Sequence, residues 1–171
     1  MKNNFVIAVN GMAPGENTFL GIADKEFFVK FENCEVQAAE LKIAIVADRQ
    51  SDHIDFECTI SGTITVPCDR CLKPVAMPVS TSCMLRLNRG CDSPLPDDSY
   101  EEVFLPEGSD ELDLNQEVYD YSLLALPLQR FHKEGECDPA ALECLSNGSD
   151  EPAGLTDSPF SDLAEILKSN K

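Results

Sequence analysis

From Ile54 onward the chain alternates. The even positions read Ile54, Phe56, Cys58, Ile60, Gly62, Ile64, Val66 and Cys68, while the odd positions between them are mostly Asp, Glu, Thr and Ser. After the C-x-x-C of "VPCDRCLKP" the apolar parity resumes at Val75, Met77, Val79, Thr81, Cys83, Leu85 and Leu87. A repeat of two means a strand with one buried and one wet face. Two such runs around a short polar break predict an antiparallel hairpin with Cys68 and Cys71 at its turn. The first run is long for a strand, and Gly62 inside it reads as a bulge, a bend or a turn between two shorter strands.

The flanking segments fit a sheet with few helices. "NNFVIAVNGM" is a short strand ending at the turn signal Asn10-Gly11. The cluster Phe27, Phe28 and Phe31 reads as core, since aromatics dominate buried area. "ELKIAIVADRQ" alternates at Leu41, Ile43 and Ile45, with Val46 out of step. "EEVFLP" and "DELDL" read as short strands within an acidic loop. "DLNQEVYDYSLLALPL" predicts a helix with Asp113 as N-cap, Gln116 closing a capping box, and Pro127 ending it. Leu114, Val118, Tyr121 and Ala125 form its apolar stripe. A short helix is expected from Asp138 to Leu145, and another in "SPFSDLAEILKSN", where Ser158 caps and Pro159 opens the first turn. The expected fold class is α+β: an antiparallel β-sheet with one or two packed helices and a partly irregular C-terminal segment. The expected division is a core over residues 1–131 and a segment over 132–171 that holds a loop and a C-terminal helix.

Charge narrows the function. The chain has 171 residues, a formal net charge of -18 and a pI near 4.2. Phosphate binding depends on Lys and Arg releasing counterions, so the overall field repels nucleic acid and any RNA contact needs a local basic patch. One segment supplies the contrast: Arg70, Lys73, Arg86 and Arg89 fall between 70 and 90 with no Asp or Glu among them. They are the candidate nucleic-acid or partner contacts, against the plainer reading of a solvated hairpin face. Residues 91–120 carry eleven acids and no Lys or Arg, a solvated loop or a dock for a basic partner. The apolar run Phe5 to Val9 is too short for a secretory core, and no stretch approaches the ~18 apolar residues of a membrane span. The expectation is a cytoplasmic protein with reduced thiols and no membrane partner.

The C-x-x-C admits several chemistries. Two intervening residues let both thiolates point at one ion. A closed structural zinc site needs two more ligands, and "HKEGEC" offers His132 and Cys137, with Gly135 easing the turn. Cys68, Cys71, His132 and Cys137 then make a Cys3His set, with Cys144 as an alternative fourth ligand. The plain alternative has Cys68 and Cys71 packing as small apolar residues. A thioredoxin-type redox pair opens a helix, whereas strands flank this motif. A zinc deaminase needs H-x-E upstream, and "HID" at His53 has the wrong acid. No nucleophile elbow or convincing general base accompanies the cysteines. Catalytic residues are therefore expected to be none, and no small-molecule substrate is evident. The readings left open by these residues are a zinc-stabilised interaction module and a metal-dependent enzyme centred on the C-x-x-C.

"VPCDRCLKPV", "DLNQEVYDYSLLALPL", "RFHKEGECDP" and "SPFSDLAEILK" occur in an order that resembles the YceD-like large ribosomal RNA subunit accumulation proteins. The resemblance covers roughly residues 55 to 171. It implies a non-enzymatic role in accumulation or processing of large-subunit ribosomal RNA. The partners it implies are large-subunit precursors, rRNA or a basic ribosomal protein. Many members carry a second C-x-x-C-like cluster near the C-terminus; this chain has Cys137 and Cys144 there instead. That departure favours the His132–Cys137 pair over a ribbon-type site.

Overall fold

The computed structural model describes residues 4–88, 99–106 and 108–147. Contacts divide the chain into Met1–Phe131 and His132–Lys171. In chain order the first unit holds β1 (Val6–Ala8), β2 (Gly15–Asp24), α1 (Lys25–Val29), β3 (Ala38–Arg49), β4 (His53–Pro67), β5 (Pro74–Asn88), β6 (Glu101–Val103), β7 (Glu111–Asp113) and α2 (Asn115–Leu124). The described part of the second unit contains α3 (Pro139–Asn147). The fold is α+β. One sheet runs β2-β3-β4-β5-β6, and β1 pairs with β7 in a separate two-stranded ribbon.

The alternating stretch is the centre of that sheet. β4 and β5 are each 15 residues long and pair antiparallel from His53↔Asn88 to Pro67↔Pro74. The even residues of β4 and the odd residues of β5 are almost all buried: Ile54, Phe56, Ile60 and Ile64 are at 0 % exposure. β4 is continuous through Gly62, so neither a bulge nor a turn interrupts it. Gly62 instead lies opposite Leu41 of β3, at a φ of +151°. A Cβ there would meet the Glu40 carbonyl oxygen at 2.1 Å. The glycine marks a close approach of two backbones.

The prolines obey the hydrogen-bond alternation of an antiparallel ladder. Cys68 N–H donates to the Lys73 carbonyl at 2.9 Å, which makes 68 and 73 a bonded pair. The next pair outward, Pro67↔Pro74, is then a non-bonded pair, where a missing N–H costs no ladder bond. β6 adds to β5 in parallel through Leu85–Leu87. The sheet is therefore mixed at that edge.

The apolar face is closed by α1, α2 and the β1–β7 ribbon. Asp24 caps α1 by accepting from the N–H groups of Glu26 and Phe27 at 2.9 and 3.3 Å. The turn holds Phe27 and Phe28 at 0 % exposure. Phe27 meets Phe5, Phe28 and Phe31 edge-on at 5.5, 5.4 and 5.4 Å, and Phe31 stacks on Tyr119 of α2 at 4.3 Å. The expected capping box of α2 does not form. Asp113 is drawn into β7 opposite Val6, its carboxylate takes the Asn115 N–H at 2.8 Å, and Gln116 bonds Asp120 instead. The helix begins at Asn115 with Leu114 as N-cap and no side-chain cap bond. The helix expected at Ser158 lies outside the described residues.

Candidate metal centre

The tip between β4 and β5 is a tight knuckle. Leu72 N–H returns to the Cys68 carbonyl at 2.9 Å, and Arg70 N–H points at Cys68 Sγ at 3.5 Å. Cys68 and Cys71 are buried at 0 % and 5 %. Leu72 closes the turn with a φ of 59° and leaves its side chain 76 % exposed. A left-handed conformation costs a non-glycine residue about 1–2 kcal/mol. Leu72→Gly removes that cost with little burial to lose, offset by the entropy of a freer unfolded chain. It is expected to raise stability by about 0.5–1 kcal/mol in urea unfolding. A loss of similar size would show that the Leu72 side chain packs usefully at the tip.

The second pair of donors lies on one turn. Glu136 N–H bonds the Lys133 carbonyl at 3.0 Å, and Gly135 holds a φ of +85°, as the third residue of a type II turn requires. The turn brings Cys137 Sγ to 3.9 Å from His132 Nδ1 and leaves Cys137 at 6 % exposure. The ligand atoms of Cys68, Cys71, His132 and Cys137 all lie within 4.8 Å of one another, close enough to bind a metal. Tetrahedral zinc with Zn–S bonds of about 2.3 Å sets sulfurs about 3.8 Å apart, so three thiols and one imidazole fit with a small contraction. Cys144, the alternative ligand, is exposed on α3.

The two residues inside the C-x-x-C do further work at the tip. Asp69 N–H donates to the Arg130 carbonyl at 2.8 Å, and Arg130 N–H donates to Asp69 Oδ2 at 2.7 Å. The Arg130 guanidinium reaches Glu35 at 3.2 Å and Asp69 at 3.3 Å. Its charged form is held by Glu35 first, then by Asp69. Arg70 lies over the Phe131 ring at 4.1 Å. The chain is thus held at the tip up to the residue before His132. Sequence reasoning missed Asp69, Glu35, Arg130 and Phe131 as positioning residues. The only local signal is that "DR" fills the C-x-x-C and "RF" precedes His132.

The candidate contact residues separate. Arg70 stacks on Phe131, and Lys73 is exposed at the tip. Arg86 is engaged within the fold: it grips Asp55 at 2.6 and 2.9 Å, and its guanidinium sits 3.8 Å from the Tyr100 ring centre. Arg89 lies outside the described residues. His53 opens β4, with ring nitrogens 2.8 Å from Asp52 and 3.6 Å from Asp55. A strand of 15 residues separates it from Cys68, about 50 Å at 3.3 Å per residue. "HID" and the C-x-x-C therefore cannot share a deaminase site.

Cys58 and Cys83 are direct cross-strand partners, buried at 1 % and 5 %. Their mutual hydrogen bond raises the Cys58 thiol and lowers that of Cys83. Burial raises the Glu117 carboxyl, and its Oε2 is buried without a hydrogen-bond partner.

A family model described as large ribosomal RNA subunit accumulation protein YceD matches residues 56–167. The chain belongs to the YceD family. The matched range takes in the β4–β5 hairpin from Phe56 onward, both donor pairs and α2. No match was found among curated proteins or solved structures. The family description gives an association with accumulation of large-subunit ribosomal RNA and names no reaction. Among the described residues no helix is long and apolar enough to cross a membrane.

Proposed function

We propose that this chain is a non-enzymatic, cytoplasmic factor that supports accumulation or processing of large-subunit ribosomal RNA. The observation that carries the reading is the YceD match over residues 56–167. In this reading Cys68, Cys71, His132 and Cys137 hold one structural zinc. Four protein donors complete a tetrahedral shell, whereas a catalytic zinc keeps a position open for water or substrate. The donor set thus favours a structural ion over a metal-dependent enzyme. Residues 1–131 act as the folded core, and 132–171 as the segment that supplies the last two ligands.

The zinc-fixed tip presents Arg70 and Lys73, the cations we assign to partner contact. With a net charge of -18, the chain reaches rRNA through such a local patch or through a basic protein of the large-subunit precursor. Depletion of the protein is expected to lower mature large-subunit rRNA relative to small-subunit rRNA. The tagged chain is expected to co-sediment with large-subunit precursors. Unchanged rRNA ratios together with no precursor association would sink the proposal.

A further inference from the structure

The five-stranded sheet leaves three stretches of edge without a paired strand among the described residues: β2, the three-residue β6, and the part of β5 that β6 does not cover. The two longer ones are built differently. On β5 the ladder alternation turns the even residues away from β4, and two of these are Pro74 and Pro78, which offer no N–H. Prolines on an edge obstruct pairing by another strand.

β2 has no such guard. Gln50 N–H donates to the His53 carbonyl at 3.0 Å, so the odd residues of β4 bond to β3. Carried across β3, the same alternation bonds the odd residues of β2 to β3. The N–H and C=O groups of Thr18, Leu20 and Ile22 are left directed at the open edge. β2 is 10 residues long and contains neither proline nor lysine. Leu20, at its middle, is 66 % exposed.

Two cavities meet on that edge. One, of about 530 Å³, lies between Asn4–Ile7 of the β1 region and Thr18–Gly21 of β2. The other, about 220 Å³, opens on the uncovered face of the sheet, with Lys42, Ala44, Thr59 and Ser61 in its wall. Leu20 and Gly21 line both. A strand laid along β2 directs alternate side chains to opposite faces, and here each face has a cavity to receive them.

The charges indicate the occupant. Every charged side chain on β1, β2 and β7 is acidic: Glu16, Asp24, Glu111 and Asp113. A second copy paired about Leu20 would set Glu16 against Asp24 of that copy and bring together two chains of net charge -18. We infer that the free edge of β2 receives an extended, cationic segment of a partner protein by strand addition. The backbone supplies the affinity and the two cavities the selection of alternate apolar side chains. This inference goes beyond the ribosomal reading and does not rest on it, because it is tested with the purified chain alone.

The probe is a short synthetic peptide with a run of valines flanked at both ends by lysines, with the same run flanked by glutamates as control. Amide hydrogen exchange of the full chain is followed on titration. The lysine peptide is expected to slow exchange at Thr18, Leu20 and Ile22, leaving Phe19 and Gly21, already bonded to β3, unchanged. Leu20→Lys changes an exposed side chain, so its far-UV spectrum and unfolding midpoint are expected to match the parent. It is expected to weaken the peptide about tenfold, which is about 1.4 kcal/mol. Absence of binding, equal binding of the glutamate peptide, or protection away from β2 overturns the inference. Protection of the same three amides without peptide, rising with protein concentration, also overturns it by naming a second copy as the occupant.

Discussion

A Cys71→Ser form of the full chain is expected to fail to bind the zinc proposed above and to unfold at markedly lower denaturant than the parent. Cys71 is buried at the tip with its sulfur in the four-donor set. Its loss leaves three donors and a hydroxyl that does not ionise near neutrality. A ligand that binds only the folded state stabilises it by about 2.7 kcal/mol at a hundredfold excess over Kd and by about 4.1 kcal/mol at a thousandfold excess. Structural zinc sites bind tightly enough to reach the upper figure at micromolar free zinc. The expected loss is therefore about 3–4 kcal/mol. Cys144→Ser provides the control: Cys144 is exposed on α3, and its removal is expected to leave both zinc content and stability unchanged. Because zinc takes thiolates and a neutral imidazole, the zinc-dependent stability is expected to fall as the pH is lowered. Elemental analysis of the purified protein and unfolding with and without chelator make the measurement. Metal-free protein whose stability ignores added zinc would remove the metal from the account and leave Cys68, Cys71 and Cys137 as apolar packing.

The hairpin was legible because burial of one face leaves a repeat of two, and β4 and β5 carry it over their whole length. That Cys68, Cys71, His132 and Cys137 come together was legible because metal chemistry restricts residue type and spacing. What held them was not. Asp69 and Arg130 are 61 positions apart, and neither has any local pattern that announces the other. The failed capping box has the same origin. Asp113 and Gln116 have the right spacing, but the pairing of β7 with β1 decides where the helix starts. The parallel β5–β6 contact spans three residue pairs, too short for any periodicity to register. α1 is five residues long and owes its place to Phe5 and to Tyr119 of α2, contacts between segments far apart in the chain. Short elements stabilised by distant partners leave no periodic trace.

Gly62 combines both situations, and its replacement by alanine is expected to be among the most damaging small changes to the first unit. Its position in the alternating run shows that a small residue breaks the apolar series, but not why. The reason lies on β3. The pair Gly62↔Leu41 is a non-bonded pair of the β3–β4 ladder, where the two backbones come closest. An added Cβ would sit 2.1 Å from the Glu40 carbonyl oxygen and 2.9 Å from the Leu41 Cα. Both are backbone atoms of a central strand, so no side chain can swing aside. Alanine must also leave the glycine's φ of +151°, a region that costs other residues about 1–3 kcal/mol. Relief requires β3 and β4 to separate or slip, at the expense of packing around Leu41, Ile43 and Ile60, all at or below 2 % exposure. Together these terms give an expected loss of about 3–5 kcal/mol. Ser61→Ala, one residue away on the outward face, is expected to change stability by less than about 0.5 kcal/mol. Urea unfolding of the two variants side by side separates the readings. A Gly62→Ala midpoint equal to that of Ser61→Ala would show that the strands part freely at this point and that the glycine answers to something other than the backbone of β3.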